Sequence, residues 1–169
     1  MRCLARKAEW GFSGAVVDLS IRDTAHALTG LFRELVDKDP RLSSTARTIL
    51  AERGDEAEFE RIAAALSTSQ YSDAMASLED IGTLRSVRAL VRALDLDGFY
   101  LDMKGTKLYD LEARRYWSRA FGVLARMVKV PPVSATAPPT NENVARWKAW
   151  WANGPTPDAL VPPRRFLSE

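Results

Sequence analysis

Residues Ala46–Leu66 lie over Ala74–Leu94 without a gap, at an offset of 28 residues. Ala46 falls on Ala74, Leu50 on Leu78, Gly54 on Gly82, Ala65 on Ala93 and Leu66 on Leu94. Phe59 meets Val87 and Ile62 meets Leu90, so the apolar pattern matches beyond the identities. Each block reads as two short helices broken at its glycine, because glycine reaches the left-handed conformation at a helix end without steric cost. A helix pair of this size cannot bury its apolar face alone and is expected to stack on copies of itself. Ala120–Leu124 echoes the same alanine-to-leucine spacing a third time. The competing reading is a plain helical bundle in which two hairpins are alike by chance.

The remaining chain continues the helical pattern. Asp23 or Thr24 is placed to cap a helix carrying Leu28, Leu31, Phe32 and Leu35 at helical spacing, closed by Asp39-Pro40. Helices are expected over Arg41–Arg53, Asp55–Leu66, Ser72–Ile81, Thr83–Leu94 and, the longest, Tyr109–Val128. No segment alternates with period two, so no sheet is expected. Pro131-Pro132 and Pro138-Pro139 bracket a linker, after which Thr140 or Asn141 caps a short helix. There Trp147, Trp150 and Trp151 share one face, as a helix docked on the last pair would need. The long helix at Tyr109–Val128 has no recognisable second helix of its own. One helical domain over 1–153 follows, with a poorly defined start at 1–22, central repeats at 41–94, a terminal helix at 141–153 and a proline-rich irregular tail at 154–169.

The block ASLEDIGTLRSVRALVRALD resembles the HEAT-repeat family, on Leu78, Gly82, Leu90, Leu94 and Asp95. The likeness spans about Asp23 to Val128, and its 28-residue offset is shorter than the roughly 40–47 residues usual in that family. The resemblance implies an all-α, α-α superhelix: a short HEAT-like solenoid of helical hairpins closed by the tryptophan-rich capping helix. It also implies that the second helix of each hairpin lines a concave surface.

Chemistry-bearing motifs are scarce. Cys3 is the single cysteine and His26 the single histidine, which leaves no basis for a disulfide, a cysteine metal site or a histidine-based nucleophile system. Asp95, Asp97 and Asp102 share a glycine-containing loop, but Gly98 falls at the wrong position for an EF-hand and no closing glutamate follows. No phosphate-loop, dinucleotide, zinc-protease or nucleophile-elbow motif occurs, so no cofactor and no catalytic activity are expected. No apolar run approaches the ~20 residues that cross a bilayer. A cytoplasmic location is the default expectation.

Charge supplies the functional hint. Net charge is only +2, yet residues 37–80 hold ten acidic and five basic side chains and residues 85–129 hold five acidic and ten basic. Stacked helices would then form a rod with an acidic first half and a basic second half. Arg85, Arg88 and Arg92 follow at i, i+3 and i+7 on the second helix of the central hairpin, and Arg115 and Arg119 extend the basic character along the long helix. These five are the candidate partner-binding residues, for an acidic segment of another protein. They also fit a solvated face, with Glu60 placed by the alignment to pair with Arg88. Two other readings stay open. One is a nucleic-acid binder like the HEAT-like alkylpurine DNA glycosylases, and the other is a subunit or fragment of a larger solenoid.

Overall fold

The structure, a computed structural model, describes residues 28–34, 36, 40–96 and 107–162. It is all-α, with seven helices among these residues. Helix α1 covers 28–34, and α2 runs Pro40–Glu52, α3 Glu56–Ala65, α4 Tyr71–Ile81, α5 Leu84–Ala93, α6 Lys107–Met127 and α7 Asn141–Ala152. Among the described residues there is no sheet, and the one β-type pairing is an isolated antiparallel bridge between Val128 and Leu160. The expected cap at Asp23 or Thr24, and Cys3, His26, Asp97 and Asp102, lie outside the described residues.

Packing follows chain order. Helix α2 packs on α3 and α4, α3 on α4, α4 on α5 and α6, and α5 on α6 and α7. One continuous apolar core results, running from Ala51 to Trp147. Its centre is the central helix pair, where Met75, Leu78, Val87 and Leu90 are wholly buried.

The 28-residue register is visible in burial and backbone alike. Ala46 and Leu50 on α2 are buried like Ala74 and Leu78 on α4, and Ala120 and Leu124 on α6 repeat them. Gly82 ends α4 at φ 65°, its N–H returning to the Leu78 carbonyl, and Gly54 follows α2 at φ 93°. Asp55 then caps α3 by accepting the Glu58 N–H, and Thr83 caps α5 by accepting the Ser86 N–H. Helix α7 shows the same arrangement: Thr140 accepts the Asn143 N–H, and Asn143, Val144 and Trp147 are buried as Ser86, Val87 and Leu90 are. In sequence Leu124 and Thr140 stand 16 residues apart where Leu78 and Thr83 stand five apart. Helices α6 and α7 do not close as a tight hairpin, and α7 packs on α5.

The aromatic helix docks as its spacing suggests. Trp147 is fully buried, while Trp150, edge-on to it at 5.8 Å, and Trp151 are partly buried against the core. The start of the tail is anchored to the end of α6. Pro157–Ala159 forms a 3₁₀ turn, the Lys129 N–H donates to the Ala159 carbonyl at 2.9 Å, and the Val161 N–H donates to the Met127 carbonyl at 2.8 Å. The second of these satisfies a carbonyl that the end of α6 leaves without a partner in its own helix.

Two predictions follow from this packing. Leu78→Ala and Leu90→Ala, each at a fully buried site, are expected to cost about 2–5 kcal/mol in urea unfolding. Arg88→Ala, at an exposed site, should stay within about 0.5 kcal/mol. Asp55 offers a pH test. The hydrogen bond from Arg33, then that from the Glu58 N–H, hold its carboxyl below the ordinary value of 3.8. A lowered folded pKa means this stabilisation is present above pH 3.8 and is lost as pH falls through the folded value. Asp55→Ala should therefore cost about 1 kcal/mol at pH 7, with the difference from wild type shrinking in unfolding curves taken below that range.

Candidate functional site

Helices α3 and α5 are second helices of adjacent pairs, yet close packing does not join them. Between them lies an open groove of about 580 Å³. Its floor is apolar and mostly small: Phe59 and Leu66 are buried, and Ala63, Ala89 and Ala93 are half-buried. Alanine side chains on both facing helices, Ala63 and Ala64 on α3 and Ala89 and Ala93 on α5, leave part of the gap unfilled. Arg88 and Arg92 line the groove and are exposed, as are Glu60, Ser67 and Asp95.

The three arginines of α5 do not act alike. Arg85 pairs with Glu56 and, at 2.9 Å, with Glu60, and its guanidinium lies 3.8 Å from the centroid of the Phe59 ring. The hydrogen bond to Glu56, then that to Glu60, raise the pKa of Arg85 above its ordinary value, against burial. Arg85 is thus a clasp between α3 and α5. Glu60, expected to pair with Arg88, is taken by Arg85. Arg88 and Arg92 have no ion-pair partner among the described residues, and one turn separates them on the same helix face.

At the far end of the groove Asp95 pairs with Lys148 of α7. The two acidic side chains that line the groove are therefore both engaged, by Arg85 and by Lys148. Among the described residues, what remains uncompensated within it is the charge of Arg88 and Arg92.

Arg115 and Arg119 sit elsewhere, exposed on α6 and outside the groove lining. Arg115 pairs with Glu112 of its own helix at 2.5 Å. The structure therefore brings two of the five candidate arginines together at one accessible place. Phe59 and the alanines of the floor were not singled out in the sequence as site residues. The signal was available, since Ala89 and Ala93 directly follow Arg88 and Arg92.

Other chemistry is sparse among the described residues. No group of three His, Cys, Asp or Glu is placed to hold a metal ion, and no helix is long and apolar enough to cross a membrane. Tyr116 is buried beside Tyr71, 5.0 Å between ring centroids, and burial pushes its phenol pKa well up, so it stays neutral in the physiological range. Compared with protein-family models, curated proteins and solved structures, the chain matches none.

The clasp has a measurable value. An exposed ion pair contributes about 0–1 kcal/mol, and a cation over an aromatic face about 0.5–1 kcal/mol. Arg85→Ala is expected to lower stability by about 1 kcal/mol in denaturant titration. Half of that loss should be reproduced in wild type by raising the salt to about 1 M, where exposed charges are screened.

Proposed function

We propose that this chain is a non-catalytic helical-repeat interaction module, a short superhelix of HEAT-like helix pairs, which binds an acidic segment of another protein over the groove between α3 and α5. The observation that carries the reading is the state of Arg88 and Arg92. Both are exposed above an apolar floor, and neither has an ion-pair partner among the described residues. The superhelical part is supported by the succession of contacts from α2 to α4 to α6, and by the common cap-and-core register of α3, α5 and α7.

A protein partner is favoured over nucleic acid. Phosphodiester backbones are held by many cations at once, with affinity falling steeply in salt as each contact releases a counterion. The groove offers two uncompensated arginines and carries Glu60 and Asp95 along its length. A single acidic segment matches that charge, whereas a polyanion would meet carboxylates on either side of it.

The test is quantitative affinity capture with wild type and with Arg88→Glu/Arg92→Glu, run beside a gel-shift assay on single-stranded and duplex DNA. Partners with acidic segments should be retained by wild type and lost by the variant, with no DNA shift even at low salt. Identical partner sets from both proteins would remove the groove as the binding surface. A DNA shift that disappears with salt would transfer the surface to nucleic acid.

A further inference from the structure

The groove also restricts the conformation of what it takes. We infer that its ligand is an amphipathic helix, apolar along the face that meets the alanine floor and carrying carboxylates one turn apart along the flank that meets Arg88 and Arg92. This inference rests on the acidic-partner reading and adds the ligand's secondary structure and charge spacing to it.

The first argument is backbone satisfaction. The floor is built from the side chains of Phe59, Ala63, Ala89 and Ala93, with α3 and α5 using their backbone groups in their own helices. No strand edge is present among the described residues to pair with an extended chain. A peptide backbone removed from water without partners loses about 1–3 kcal/mol per unsatisfied group. An extended segment laid on this floor would lose that repeatedly, whereas a helix brings its own hydrogen bonds.

The second argument is shape. Helix axes approach to about 8–10 Å, the closer distance where the side chains between them are small. Ala63, Ala89 and Ala93 are half-buried small residues of the groove, and no helix among the described residues covers them. Larger apolar side chains of an added helix would fill the spaces between them.

The third argument is charge spacing. Arg88 and Arg92 are an i, i+4 pair, so their positions stand about 5–6 Å apart along α5. Carboxylates at i and i+4 on a helix lying alongside α5 have the same spacing and meet both guanidiniums at once. Arginine suits this role because its planar fork takes a carboxylate through two parallel hydrogen bonds. Arg85, held by Glu56, Glu60 and Phe59, closes one end of the groove and does not compete for the ligand.

The experiment measures fluorescence anisotropy with three labelled probes. The first is a designed peptide of about 18 residues, long enough to be helical in water, built from Leu, Ala and Glu with leucines on one face and glutamates at i, i+4 beside it. The second is a peptide of the same composition in scrambled order, and the third a single-stranded DNA oligonucleotide of similar length. The ordered peptide should bind about tenfold or more tighter than the scrambled one, a difference of about 1.4 kcal/mol. Arg88→Ala/Arg92→Ala and, separately, Ala64→Trp at the exposed groove wall should each remove that preference without changing the thermal midpoint by more than a few degrees.

Equal binding of both peptides to wild type, weakened by the arginine substitutions, would overturn the helix inference and leave the acidic-partner reading standing. Equal binding of both peptides to wild type and to the double variant would overturn both. Tighter, strongly salt-dependent binding of the oligonucleotide would also overturn both, in favour of a nucleic-acid surface.

Discussion

Every helix in this molecule of about ten to twenty residues has one apolar face, and no pair of them can bury both faces by itself. That constraint is met at the central pair, where Leu78 from α4 and Leu90 from α5 are fully enclosed. Neighbouring helices supply the enclosure: α2 and α3 pack on α4, α6 packs on both α4 and α5, and α7 packs on α5. A hairpin as short as Tyr71–Ala93 would be marginal in isolation, since helices of this length hold their shape through tertiary packing. The left-handed turn at Gly82 matters for the same reason. It lets the chain reverse within two residues, so that Leu78 and Leu90 face one core.

Charge is arranged around that core as ties between elements. Arg33 reaches Asp55, Arg85 reaches Glu56 and Glu60, Arg126 reaches Glu79, and Lys148 reaches Asp95. For Arg85 and Arg126 the cation comes from the basic stretch 85–129 and the anion from the acidic stretch 37–80. The acidic and basic stretches seen in the sequence therefore meet directly at two places, between α3 and α5 and between α4 and α6. Each tie adds little stability on its own. Together they oppose sliding of one helix pair over the next, because a shifted register would set several like charges together. Buried polar groups act in the same sense: the Thr48 and Ser77 hydroxyls are hydrogen-bonded at 2.9 Å between α2 and α4.

Much of the fold was legible in the residues, for definite reasons. Gly54 and Gly82, the caps at Asp55 and Thr83, and apolar spacing set the α2–α5 boundaries to within a residue or so, since these are local signals that tertiary contacts reinforce. The register of α7 was not legible. Thr140, Asn143, Val144 and Trp147 repeat Thr83, Ser86, Val87 and Leu90 at the same intervals, but an ungapped comparison cannot cross the insertion that carries two proline pairs. Tryptophan at a leucine position obscured it further. The site was half legible. Arg85, Arg88 and Arg92 could be placed on one helix, yet which of them is engaged depends on how α3 lies beside α5. Helix spacing within α5 has no information about Glu56 or Phe59.

The same register separates what the stack requires from what it merely tolerates. Positions that hold the core recur: Phe59, Val87 and Val144 are equivalent, as are Ile62, Leu90 and Trp147, and all are buried. The positions of Arg88 and Arg92 do not recur. In α3 they are occupied by Glu60 and Ala64, and in α7 by Ala145 and Ala149, all exposed. A helix in this register therefore packs equally well with alanine at both places. Neither arginine forms an ion pair among the described residues, so neither contributes the kind of tie that Arg85 or Arg126 does. Two long side chains with substantial rotamer entropy are thus kept where packing asks only for alanine, at the opening of a groove whose floor is alanine. The architecture accounts for the floor and makes no use of the two charges among the described residues.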